Sequence, residues 1–159
     1  MAKCKRSFTL FLGATNRKLI DMQDNAPNPR VLLTKSFIDS HDRAIATIAL
    51  ALRDAAMEVV LIDYEQPEDV VTVALQEDVD IIGLSFMSGG QVETTQKIVA
   101  ELQRRNVADL PVVVGGVSRP FDVEPLEAAG VKEIFRGGAP LADVVASFKR
   151  LARAYRGLA

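Results

Sequence analysis

The chain has 159 residues, 48% of them apolar and 25% charged, with a formal net charge of −2, which suits one globular domain with an ordinary core. The weak negative charge and the lack of a basic patch argue against nucleic acid or an anionic membrane surface as the partner. No apolar run approaches the roughly 20 residues that cross a bilayer, and one cysteine with one histidine makes neither an internal disulfide nor a protein-only zinc site.

The lone Cys4 fits a reducing compartment, so a cytoplasmic location is expected. The opening MAKCKRSFTLFLGA sets basic residues before a short apolar stretch, but the polar NRKLIDMQDNAPNP follows without a secretory type of cleavage site. Residues 1–29 end in the turn-forming NAPNP and are expected to be a flexible or partner-docking extension. The folded domain is expected over residues 30–159.

From Arg30, RVLLTK reads as a strand, and RAIATIALALRDAA places Ile45, Ile48, Ala49 and Leu52 at helical spacing. EVVLID is a second strand, followed by a helix over PEDVVTVALQE, with Pro67 suited to its first turn. VDIIGLS and the helix QVETTQKIVAELQRR form the third pair. PVVVGGV, ending in Gly115 and Gly116, precedes a short helix over PFDVEPLEAAG closed by Gly130. KEIFRGG and PLADVVASFKRLARAYRG give the last strand and helix.

Continuous apolar strands such as VVLI, DIIGL and VVV indicate burial on both faces. Five alternating strand and helix units predict a parallel α/β sheet of flavodoxin-like order 2-1-3-4-5 with helices on both faces. Ligands of such sheets sit at the carboxyl ends of the strands. The candidate loops are therefore residues 36–42, 85–90, 115–120 and 136–140.

The first of these loops holds the only histidine, His41, with Asp42 a candidate N-cap for the following helix. Asp39 is placed to accept the Nδ1 proton of the imidazole, which leaves Nε2 free for a metal. Lys35, at the end of the first strand, is expected to hold Asp39 ionised through a charge-assisted bond. One histidine suffices when the other ligands come from a macrocycle, as in haem or corrinoid cofactors. The chain has neither a phosphate-binding G-x-x-x-x-G-K-[ST] loop nor a G-x-G-x-x-G turn, and no acidic pair after the first strand of the kind a receiver domain uses for magnesium.

The stretch LLTKSFIDSHDRA, with EDVDIIGLSFMSG and VVVGGV following at similar intervals, resembles the cobalamin-binding domain of the adenosylcobalamin-dependent acyl-CoA mutases. This is the methylmalonyl-CoA mutase group, and the resemblance is greatest to forms in which the domain is a separate small subunit. It covers Arg30 to the C-terminus. The family pattern is D-x-H-x-x-G, then S-x-L, then a glycine pair.

The resemblance implies adenosylcobalamin as cofactor, with His41 as the lower axial ligand of cobalt in place of the dimethylbenzimidazole base. Asp39 would orient His41, Lys35 would support Asp39, and Ser40, Asp42 and Arg43 would flank the ligand in the cofactor loop. Ser85 and Met87 would meet the displaced nucleotide tail, and Gly115 and Gly116 would let it approach the backbone. The chain would not be catalytic alone. It would act as the cofactor-binding subunit of an isomerase whose large partner binds the acyl-CoA in a barrel.

The chain departs from the pattern at Ser40, Ala44, Met87 and Phe37, where smaller residues or leucine are usual. Ser40 would be strained at a positive φ, Ala44 would crowd the tail by a methyl, and Phe37 would either pack on the corrin or block it. Two other readings share the loop. One is a corrinoid carrier for methyl transfer, usually preceded by a helical bundle, and the other is an interaction module that has lost its cofactor.

Overall fold

A computed structural model describes residues 27–116 and 119–158. The expected extension falls outside the described residues up to position 26, and Val117, the last residue of the fourth expected strand, lies outside them too. Among the described residues no helix is long and apolar enough to cross a membrane.

The strands are β1 (Arg30–Ser36), β2 (Glu58–Tyr64), β3 (Ile81–Phe86), β4 (Val112–Gly116) and β5 (Glu133–Arg136). The helices are α1 (Asp42–Asp54), α2 (Pro67–Gln76), α3 (Gln91–Arg104), α4 (Val123–Ala128) and α5 (Leu141–Tyr155), with a single 3-10 turn, Pro120–Asp122, ahead of α4. All four strand pairings are parallel and the order is β2-β1-β3-β4-β5, as the alternating pattern predicts.

Side chains alternate across a strand, so β1, β3 and β4 each feed two cores. Leu32, Ile82, Leu84 and Val114 pack with Val70 and Val71 of α2, Ile98 and Leu102 of α3 and Leu126 of α4. Val31, Leu33, Ile81 and Val113 pack on the opposite face with Ile45, Ala49 and Leu52 of α1 and Val144 and Phe148 of α5. That second face carries the site.

Several ends differ from expectation for local reasons. β5 stops at Arg136 because the Ala139 N–H folds back to the Arg136 carbonyl at 3.1 Å and Gly138 adopts φ +87°. Asp42 is the first residue of α1 and not its cap; His41 holds the cap position without a side-chain cap bond, because the Asp42 carboxylate is drawn to Lys35 Nζ at 3.1 Å. At the far edge of the sheet, Asp80 accepts the Arg30 backbone N–H at 2.6 Å and Arg156 Nε at 2.5 Å. That clamp ties the start of β1 to the end of α5, away from the loops that matter for function.

Candidate functional site

Register sets the floor of the site. Near the carboxyl edge, Asp63, Lys35, Ser85, Gly115 and Phe135 form one row across β2, β1, β3, β4 and β5. By the alternation along each strand they share the face covered by α1 and α5.

Above the β1 end, residues 37–41 form a tight loop in which the Asp39 N–H bonds the Ser36 carbonyl at 2.9 Å. Asp39 is 3% exposed, and its carboxylate is surrounded by donors. Oδ1 accepts the backbone N–H of His41 at 3.0 Å and His41 Nδ1 at 2.7 Å. Oδ2 accepts the Met87 N–H at 3.1 Å and the Ser88 hydroxyl at 3.4 Å.

Burial alone would raise the Asp39 pKa, but the hydrogen bonds from His41 and Met87 outweigh it and hold the carboxyl below its ordinary value. An ionised carboxylate only accepts, so the proton of that 2.7 Å contact sits on Nδ1. In the neutral ring Nε2 then carries the lone pair, and no hydrogen bond to Nε2 is made among the described residues. The ring itself is 57% exposed. A buried anion thus aims an accessible nitrogen outward.

Lys35 does not do what the sequence leads one to expect. Its ammonium donates to the Asp39 backbone carbonyl at 2.6 Å, not to the carboxylate, and pairs with Asp42 at 3.1 Å and Asp63 at 3.2 Å. Three donors meet three oxygens. Burial disfavours the charged amine, yet the bonds to Asp42 and Asp63 prevail and its pKa is raised. The carboxylate is out of its reach because His41 and the β3–α3 loop already occupy both oxygens. Lys35 therefore staples the loop's backbone to α1 and to the edge strand.

Two connected depressions flank this loop. An open groove of about 730 Å³ is lined by Ser40, His41, Asp42 and Arg43. A narrower slot of about 280 Å³ runs between the sheet and the α1/α5 pair, with Ser85, Met87, Gly115 and Gly116 among its lining residues. Ala44, Ile48, Met87 and Leu141 border both. Nine of the sequence candidates line one or other depression or support His41 directly, and Lys35 lies beneath them.

The departures from the family pattern leave this geometry open. Ser40 is not among the residues with positive φ, Ala44 sits on the shared border, and Phe37 is 58% exposed and lines neither depression. The slot also has the character of a cradle. A Cβ on Gly115 would meet nothing nearer than the Leu84 carbonyl oxygen at 3.9 Å, so packing does not require a glycine there; a side chain would simply fill the slot. Beside it the Ser85 hydroxyl has no hydrogen-bond partner among the described residues.

Sequence reasoning missed Asp63, Ser88 and the slot's outer wall of Phe135, Val144 and Phe148. The only signal for that wall was the Gly137–Gly138 pair after the last strand, which marked a loop at the same sheet edge.

The buried carboxylate gives a pH-dependent expectation. A depressed pKa stabilises the fold fully above the ordinary value of 3.8 and loses that contribution as pH falls through the lowered one. Asp39→Asn should cost about 1–3 kcal/mol at neutral pH. Denaturant titrations at pH 7 and at strongly acid pH should show the gap between variant and native chain closing in acid; a gap independent of pH would contradict an ionised Asp39.

The family model described as a B12 binding domain matches residues 29–145. The small subunit of 2-hydroxyisobutanoyl-CoA mutase from Aquincola tertiaricarbonis is 40% identical over 79% of this chain and 93% of its own length. Methylmalonyl-CoA mutase from Escherichia coli is 34% identical over 78% of this chain, which spans only 18% of that enzyme. Among solved structures, a cobalamin-binding protein from Desulfitobacterium hafniense superposes with a TM-score of 0.67 at 18% identity, covering 85% of this chain and 64% of that one; at that identity the likeness is one of fold. With the matched domain covering most of the described chain, the protein belongs to the B12-binding domain family, in the group that includes the small subunits of acyl-CoA mutases.

Proposed function

We propose that this chain is the cobalamin-binding small subunit of an adenosylcobalamin-dependent acyl-CoA mutase, with His41 as the lower axial ligand of cobalt. The observation that carries the reading is the 2.7 Å Asp39–His41 pair, which fixes the tautomer and presents Nε2 at the open groove. Bound adenosylcobalamin would supply radical chemistry through homolysis of its cobalt–carbon bond.

The chain's own residues would bind, orient and shield. Asp39 would hold the imidazole in one tautomer and one orientation through its bond to Nδ1. Lys35 holds the loop that carries both, through its bonds to the Asp39 carbonyl, Asp42 and Asp63. The groove beside Ser40 and Arg43 would receive the corrin edge, and the slot past Ser85 and Gly115 would take the displaced nucleotide tail. An acyl-CoA site would belong to a large partner subunit, for which the residues ahead of β1 are a candidate docking segment.

The test uses the full chain mixed with adenosylcobalamin, then with a candidate large subunit. The expected result is a base-off, histidine-coordinated visible spectrum, and acyl-CoA isomerisation only when both subunits are present. An unchanged cofactor spectrum at high protein concentration would overturn the proposal.

A further inference from the structure

The two edges of the sheet differ. β5 has four residues and begins and ends on charged side chains, Glu133 and Arg136, and Glu133 is held by Ser147 and Arg150 of α5. β2 has seven residues, with Val59, Val60, Leu61 and Ile62 at its centre and neither proline nor bulge. Its two acids are engaged inward, Glu58 by Arg30 and Asp63 by Lys35. A long apolar edge without blocking devices is a template for another strand.

Parity shows which backbone groups are spare. The Glu58 N–H bonds the Pro29 carbonyl and the Tyr64 carbonyl accepts the Phe37 N–H, both on the β1 side. The even-numbered residues therefore face β1, and Val59, Leu61 and Asp63 present their N–H and C=O groups outward. Among the described residues these groups meet no strand, and only the Val59 carbonyl has a donor, Arg53 at 3.4 Å. Arg53 marks the ridge of α1 that flanks this edge. Leu50, one turn earlier on that ridge, is 60% exposed, and Leu61 is 44% exposed.

We infer that β2 is a self-association surface, on which two copies of this chain pair their β2 strands antiparallel across a two-fold axis at Leu61. The strand's own pattern selects a second copy as the occupant. Leu61 is the middle residue of β2, so the register centred on it overlaps the full strand. It sets outward residue against outward residue, Leu61 opposite Leu61 and Val59 opposite Asp63, and each such pair exchanges two backbone bonds. Glu58 falls opposite Tyr64 and Val60 opposite Ile62, so no like charges oppose one another. Centring on Asp63 instead would set two carboxylates face to face. A two-fold axis pairs a surface with itself, and Leu50 of each copy would close over the paired Leu61 side chains on the α1 face. A strand of this length flanked by helices offers roughly 500–700 Å² per copy, below the ~800 Å² of a standard interface, so micromolar association is expected. Antiparallel pairing sends the carboxyl ends of the two sheets in opposite directions, and each copy keeps its His41 loop for a separate partner. The surface is independent of the cobalamin reading, since neither depression is lined by Leu50, Val59, Leu61 or Asp63.

Sedimentation equilibrium of the full chain, from low to high micromolar concentration, should show a reversible monomer–dimer equilibrium. Leu61→Lys sets two cations opposite each other at the axis and should weaken the dimer at least about tenfold. In a Cys4→Ser background, Leu61→Cys should crosslink under mild oxidation, because a hydrogen-bonded antiparallel pair holds its Cα atoms about 5.5 Å apart, within disulfide reach. Phe121→Cys, at an exposed position beyond β4, should not. Should Leu61→Lys fail to fold, the two cysteine variants decide alone. A chain that stays monomeric at the highest concentration overturns the inference. So does a dimer that folded Leu61→Lys leaves intact, or one that crosslinks no faster through residue 61 than through residue 121.

Discussion

Replacing His41 with alanine is expected to abolish histidine coordination of adenosylcobalamin while leaving the apo protein folded and only modestly less stable. The imidazole is 57% exposed, but its ring donates to the buried Asp39 carboxylate, and losing one such donor costs about 1–3 kcal/mol. The functional cost is separate from that. Outer partners of a metal ligand are commonly worth 10- to 100-fold in affinity, and removal of the ligand itself should reach ~100-fold or more. The measurement pairs a thermal melt of the apo chain with the visible spectrum of the cofactor complex. A melt lowered by a few degrees but still cooperative, with a spectrum lacking the nitrogen ligand, is the expected pair of results. A His41→Ala chain that still gave the native spectrum would show that cobalt takes its lower ligand elsewhere. Asp39→Asn provides an intermediate case, since the ring remains but loses the anion that fixes its tautomer.

The alternation of apolar strands with amphipathic helices was enough to predict the sheet order, because right-handed crossovers leave few ways to arrange five parallel strands. The Asp39–His41 pair was legible too, being a contact between residues two apart in one loop. Lys35 was not. From the sequence alone, the nearest acid seemed its natural partner, but which oxygen a lysine reaches depends on what else competes for it. Met87 and Ser88 arrive from the next loop to claim the carboxylate, and Asp63 comes from the edge strand through the β1–β2 register. Both are long-range contacts with no periodic signature.

The slot's outer wall was invisible for a related reason. Phe135, Val144 and Phe148 sit in an apolar pattern indistinguishable from that of core residues, and it is the absence of a side chain at Gly115 that leaves the slot open between them and the sheet. A sequence marks such a place by what is missing. The same reasoning explains why Phe37 looked more dangerous in the sequence than it is: its backbone N–H bonds the Tyr64 carbonyl at 3.0 Å, turning the residue toward the edge strand, outside both depressions.

The adjacent glycines 115 and 116 make that distinction testable, because the geometry gives them opposite roles. At Gly116 φ is +116° and a Cβ would lie 1.8 Å from the Phe86 carbonyl oxygen, so Gly116→Ala must move backbone and should destabilise the apo fold by several kcal/mol, on the order of the strain and overpacking costs combined. Gly115→Leu should not, since its Cβ has room and its side chain would extend into the slot instead. The leucine then competes with the cofactor's tail. Expelling or compressing it should cost about 1–3 kcal/mol, or roughly 5- to 150-fold in adenosylcobalamin affinity, while cobinamide binding stays near its native value because it places nothing in the slot. Melting curves and corrinoid titrations on both variants read the two effects separately. If Gly115→Leu bound adenosylcobalamin as well as the native chain, the tail would have to lie somewhere other than between the sheet and the α1/α5 pair.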